Sequence, residues 1–217
     1  MQPVPLSFFD RPALDLARAL VGRLLVRRRA GLLLVARVVE AEAYARHEKA
    51  SHSSLGRTPS REPMFAAPGT IYMYRSRGGP SLNVSAHGAG DAVLFKSAVL
   101  ACDGPARAAM HALNPSRSGA PRPDPKLLAG QSLLCRALDL ETAAWTGRPF
   151  GGDLVVADDG VRPRLVQTTR LGIPAGRDEH LPWRFVHAGH LGSATKDPTR
   201  RRGAVEGRDW WFVEPPG

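Results

Sequence analysis

A chain of 217 residues, 43% hydrophobic and 23% charged, is long enough for a sizeable core and has an ordinary globular composition. No run of about 18 apolar residues occurs, which excludes a membrane-spanning helix; two cysteines, Cys102 and Cys135, in no CxxC pattern, argue against a disulfide scaffold and a structural zinc. The net charge of +10 and pI near 10.7 favour a polyanionic partner.

The cations are 26 arginines and four lysines (Lys49, Lys96, Lys126, Lys196). Arginine's planar fork suits phosphate oxygens. An arginine-rich codon usage would give the same ratio but leaves the net charge unexplained. The opening MQPVPLSFFDRPAL lacks a basic segment followed by an apolar one, so no secretory signal is expected and a cytoplasmic setting is.

In chain order, residues 10 to 22 read as a helix, with Asp10 as cap, Pro12 in the first turn and Gly22 at the end. RLLVRRR and LLLVARVVEAEAY read as a strand pair turning near Ala30-Gly31. Residues 45 to 69 are irregular, except that Thr58 is expected to cap a short helix. TIYMY, SLNVSAH and AVLFKSAVL read as three more strands between glycine-rich turns. GPARAAMHAL and KLLAGQSLLCRALDL read as helices around a polar, proline-rich loop, followed by short strands in DLVVAD, RLVQTTR and WRFVHAG. The tail from Lys196 is basic, then aromatic. Strands and helices mix without regular βαβ alternation, which predicts one α+β domain over residues 1–217 with a mostly antiparallel sheet.

The chemistry concentrates in EAEAYARHEKASHS, residues 40 to 53. Strand residues two apart point the same way, about 6.6 Å apart, so Val38, Glu40, Glu42 and Tyr44 are expected on one face. All three tyrosines, Tyr44, Tyr72 and Tyr74, fall between residues 44 and 74. A carboxylate beside flat phenols and a histidine makes a box for a planar ligand. Alternating glutamates also mark an ordinary solvated sheet face, and Glu40 with Glu42 has the separation of a glycosidase carboxylate pair. His47 and His52 match no zinc spacing, so no metal is expected.

The run VVEAEAY, then His52, then RTPSREPMFAAPGTIYMY and LNVSAHGAGDAVLFKSA, resembles the alkyladenine (methylpurine) DNA glycosylase family. LARALVGRLLVRR and LLAGQSLLCRALDL are similar too, and the likeness covers roughly residues 12 to 190. It implies a curved, open-barrel-like antiparallel sheet with surrounding helices. It also implies a monomeric, monofunctional enzyme that flips a damaged purine out of double-stranded DNA and hydrolyses its N-glycosidic bond. Such an enzyme needs no cofactor and associates with the nucleoid when bound to DNA. By position, the resemblance makes Glu42 the activator of water and Tyr44 and Tyr74 the walls around the flipped base. His52 becomes the residue that hydrogen-bonds the base, Tyr72 the phenol that orients His52, and Asn83 the floor that disfavours guanine. Glu40 matches a less critical position, and Met64 and Phe65 a core motif.

Two departures stand out. Where the family carries a tyrosine that wedges into the duplex, this chain has RSRGGPS, with Arg77 near the wedge position and one residue fewer before Asn83. Arg75 and Arg77 are the phosphate contacts expected there. Lys96 stands where the family usually has arginine near the catalytic water, and is expected to position Glu42. The rival readings are a nucleic-acid binder without turnover, which the altered wedge suggests, and a carbohydrate hydrolase using Glu40 and Glu42.

Overall fold

The computed structural model describes residues 1–76 and 78–215. A short strand, β1 (Gln2–Pro3), and a 3-10 turn over Leu6–Phe9 lead into helix α1 (Ala13–Leu20). This helix starts later than the sequence suggests. Asp10 does not cap it but closes the preceding 3-10 turn; Pro12 holds the N-cap position, and the Asp10 carboxylate meets His87 Nδ1 at 2.8 Å. Strands β2 (Leu24–Arg29) and β3 (Leu32–Tyr44) form the expected hairpin. Both turn residues have positive φ (Ala30 46°, Gly31 77°), the twist that suits a two-residue turn between right-twisted strands.

Strands β4 (Ile71–Ser76), β5 (Gly79–Ser85) and β6 (Ala92–Leu100) follow, then helices α2 (Gly104–Leu113), α3 (Asp124–Leu127), α4 (Gln131–Ala137) and α5 (Thr142–Trp145). The single helix read over residues 126–140 is thus two, broken where Gly130 takes φ 132°. No helix begins at Thr58; the short turn there is a 3-10 one over Glu62–Phe65. Strands β7 (Leu154–Asp158), β8 (Leu165–Thr168), β9 (Arg184–His187) and β10 (Trp210–Val213) complete the chain. The aromatic tail is therefore a strand, paired with β8.

Among the described residues, ten strands join one sheet through antiparallel pairs, in the order β1-β7-β2-β3-β6-β5-β4, with β9, β8 and β10 branching from β3. The sheet does not close into a barrel, and helices cover it, so the class is α+β.

One irregularity in β3 decides where the glutamates go. Leu34, Ala36 and Val38 lie in the main apolar core, and so do Ala41 and Ala43. The core-facing phase therefore changes from even to odd numbers, and the register shifts on either side of Glu40. Val39 is the extra residue on β3 and Lys96 the extra residue on β6. Strict alternation would have driven Glu40, Glu42 and Tyr44 into the core beside Val38. A bulge re-aims them to the other face. The expectation that Val38 shares a face with the glutamates is corrected accordingly.

Candidate active site

Four neighbouring strands now present one common face. Ile71, Met73, Leu82, Val84, Val93, Phe95, Ala41 and Ala43 all point into the core. Their sequence neighbours Tyr72, Tyr74, Asn83, Leu94 and Tyr44 point the other way and line a cavity of about 530 Å³. Lys96 lines it too, and the cover comes from loops carrying His52, Leu55, Met64 and Leu171–Pro174.

Glu42 lies immediately behind this cavity. It is fully buried, yet three of its partners line the wall. Tyr44 donates its phenol proton to Oε2 (2.9 Å), Lys96 Nζ reaches the same oxygen (3.3 Å), and the Leu171 N–H donates to Oε1 (3.1 Å). A carboxylate oxygen accepts about two bonds, so Oε1 keeps a position for one more donor. Burial, then the adjacent Glu42 carboxylate, pushes the Tyr44 phenol well above its ordinary value, so it stays a donor.

The tyrosine–histidine group is equally ordered. His52 Nδ1 and the Tyr72 Oη lie 3.0 Å apart. Burial pushes Tyr72 up to about 12, so it keeps its proton. Burial, then the charges of Arg61 and Arg177, holds the His52 imidazole below its ordinary value and hence neutral at pH 7. The rings of Tyr72 and Tyr74 stack at 5.7 Å and 29°, and His52 meets Tyr74 edge-on at 4.4 Å. Asn83 Nδ2 donates to the Tyr72 carbonyl (3.0 Å), which fixes its amide orientation.

The fold therefore gathers Glu42, Tyr44, His52, Tyr72, Tyr74, Asn83 and Lys96 around one cavity. Arg75 is not among them: it alternates away from Tyr72, Tyr74 and Ser76 and borders a separate exposed cleft with Arg136 and Glu141. Arg77 lies outside the described residues. Glu40 is occupied elsewhere, accepting from Ser97 Oγ (2.5 Å), Arg184 Nε (2.6 Å), Thr195 N (2.8 Å) and Thr195 Oγ1 (2.9 Å). It does not line the cavity, so Glu40 and Glu42 do not flank a common ligand. His47 packs edge-on against Trp183. Among the described residues, no three His, Cys, Asp or Glu side chains gather as metal donors, and no helix is long and apolar enough to cross a membrane.

Sequence reading missed Leu171, because its contribution is a main-chain N–H that any residue type supplies. It also missed Gln131, which lines the cavity and donates to Ser81 Oγ (2.8 Å), and the buried pair Arg170–Glu48.

The geometry places a carboxylate acceptor behind an aromatic cavity, and comparison with known proteins says what kind of protein carries it. The family model described as Methylpurine-DNA glycosylase (MPG) matches residues 7–191. A protein of Pseudomonas syringae pv. syringae, provisionally named a 3-methyladenine DNA glycosylase, is 50% identical over 97% of this chain and 97% of its own length. One of Pseudomonas aeruginosa, named in the same way, is 47% identical over 98% and 91%. The DNA-3-methyladenine glycosylase of Mus musculus is 37% identical over 95% of this chain and 60% of its own. The class is thus that of the DNA glycosylases, which are hydrolases. Within it, the chain belongs to the methylpurine-DNA glycosylase family.

Proposed function

We propose that this enzyme turns alkylated or deaminated purines out of double-stranded DNA and hydrolyses their N-glycosidic bond, as a monomer acting in base-excision repair. The substrates proposed are 3-methyladenine, 7-methylguanine, hypoxanthine and ethenoadenine. One observation carries the reading: the Glu42 carboxylate, with an acceptor position left on Oε1, stands directly behind a tyrosine-lined cavity of about 530 Å³. A cavity of that size suits a base with part of its sugar.

In the proposed reaction the flipped base stacks between Tyr44 and Tyr74, worth about 1–3 kcal/mol. A cationic alkylpurine gains a further cation–π attraction. Tyr72 donates to His52 Nδ1, which leaves the Nε2–H to donate to the base edge. Asn83 disfavours normal guanine at its exocyclic amine. Glu42 accepts a proton from water, whose oxygen bonds to the sugar C1′ as the C1′–N bond breaks and its electron pair leaves with the purine. The carboxylate also favours the oxocarbenium-like sugar. Lys96, already paired with Glu42, holds that carboxylate in place rather than attacking the sugar. Arg75 and Arg77 are proposed as phosphate contacts.

The test incubates the protein with duplexes carrying each lesion. Strand breaks are expected only after alkali, and borohydride should trap no covalent complex. A trapped complex would contradict the monofunctional reading. Tight binding with no base release from any lesion would favour a binder without turnover.

A further inference from the structure

Outside the cavity, the densest set of unexplained contacts belongs to Arg170. Its side chain is completely buried and forms a two-pronged ion pair with Glu48, which is 2% exposed. The same guanidinium donates to the Ala43 carbonyl (3.0 Å) and the Asp178 carbonyl (3.2 Å). Its carbon lies 4.6 Å from the centre of the Tyr44 ring and 5.4 Å from that of Trp183. Arg170 does not line the cavity, whereas Tyr44 does, so the guanidinium occupies the side of the ring turned away from the cavity.

A buried ion pair is a poor device for stability alone, because desolvating two charges cancels most of their attraction. What this one fixes is position. It joins the turn that follows β3 to the loop that follows β8, and the residue after Arg170 supplies the N–H that holds Glu42 Oε1 at 3.1 Å. One guanidinium thereby sets both the aromatic wall and the main-chain donor on the carboxylate. We infer that Arg170 and Glu48 are positioning residues, which align the Tyr44 ring and the Leu171 N–H on Glu42 and so govern the rate of bond breaking rather than DNA affinity. This inference rests on the hydrolytic reading above.

The experiment compares the wild-type protein with Arg170→Met/Glu48→Leu, which replaces the pair by apolar groups of similar volume, in single-turnover excision of hypoxanthine from a duplex. A purely structural pair predicts equal rates once the double variant is folded. A positioning pair predicts a melting temperature within a few degrees of wild type, half-saturating protein concentration within twofold, and a maximal rate at least tenfold lower. A wild-type rate in the folded double variant would overturn the inference. Should that variant not fold, Arg170→Lys decides. It keeps the charge but cannot reach the Glu48 oxygens and both carbonyls together. A loss of threefold or more in maximal rate at unchanged affinity supports positioning, and an unchanged rate overturns it. Absence of base release by the wild-type protein, with any lesion, defeats the hydrolytic reading itself, and the inference falls with it.

Discussion

At the scale of single residues, the site works through hydrogen-bond direction. Glu42 receives three donors and gives none, and each donor has its own cause: a phenol kept protonated by burial, an ammonium, and a main-chain amide. Removing the ammonium leaves a fully buried carboxylate without the cation that pairs with it directly. Lys96→Met should therefore destabilise by about 3 kcal/mol, in the range for breaking buried pairs, and lower the melting temperature by roughly 6–12 °C. Calorimetry checks this, and an unchanged melting point would show that Tyr44 and Leu171 suffice. His52 gives a pH signature. Its imidazole is held below 6.5, so it is neutral above that pH and gains a second proton only in more acidic solution. The acid limb of the excision rate that depends on His52 should lie below pH 6.5, and His52→Gln should remove it. Tyr72→Phe, which deletes the Oη contact to Nδ1, should cost about 1 kcal/mol of orientation, roughly a fivefold loss in rate.

At the scale of elements, the β3 bulge sets the geometry. Period-two reading of LLLVARVVEAEAY found the strand and grouped Glu40, Glu42 and Tyr44, because alternation holds from Glu40 onward. It missed the phase change at Val39, because a bulge in a run of small and β-branched residues leaves no compositional mark. Deleting Val39 should restore strict alternation with Val38, Ala41 and Ala43 still inward and Glu40, Glu42 and Tyr44 still outward, leaving Lys96 on β6 as an extra residue without its counterpart. The expected result is a cooperative thermal transition by circular dichroism at a lower midpoint; loss of the transition would show that the fold requires the extra residue. Elsewhere, legibility followed local signals. The β2–β3 turn was readable from Ala30-Gly31, whereas the break at Gly130 was read through as helix because its flanks are both helix formers. The tyrosines and His52 could be grouped because they fall within thirty-odd residues. Arg170 and Leu171 could not, since they reach the site from beyond residue 160 by tertiary contact alone.

At the scale of the whole molecule, charge and histidine burial make separate predictions. With a net charge of +10, the chain should bind DNA with an affinity that falls about tenfold or more between 50 and 200 mM salt, as condensed counterions are released. Filter binding or anisotropy across that range checks it, and salt-independent affinity would contradict it. Stability should depend on pH through His187, which burial, then His190 and Arg37, lowers to about 4. The folded state binds fewer protons than the unfolded state between pH 4 and 6.5, so stability rises with pH there and is lost on acidification. Burial also lowers His52 and His190, which act in the same direction. Asp158, held well below the carboxylate range chiefly by its hydrogen bonds to Arg162, contributes its loss only at lower pH. Melting temperatures at pH 6.5, 5.5 and 4.5 should fall in that order, and His187→Asn should flatten the trend.

The most direct measurement of the central claim is the single-turnover rate of hypoxanthine release by Glu42→Gln beside the wild-type protein, with DNA affinity measured for both. A proton acceptor for water predicts at least a hundredfold lower rate at comparable affinity. Release by Glu42→Gln at the wild-type rate would contradict it.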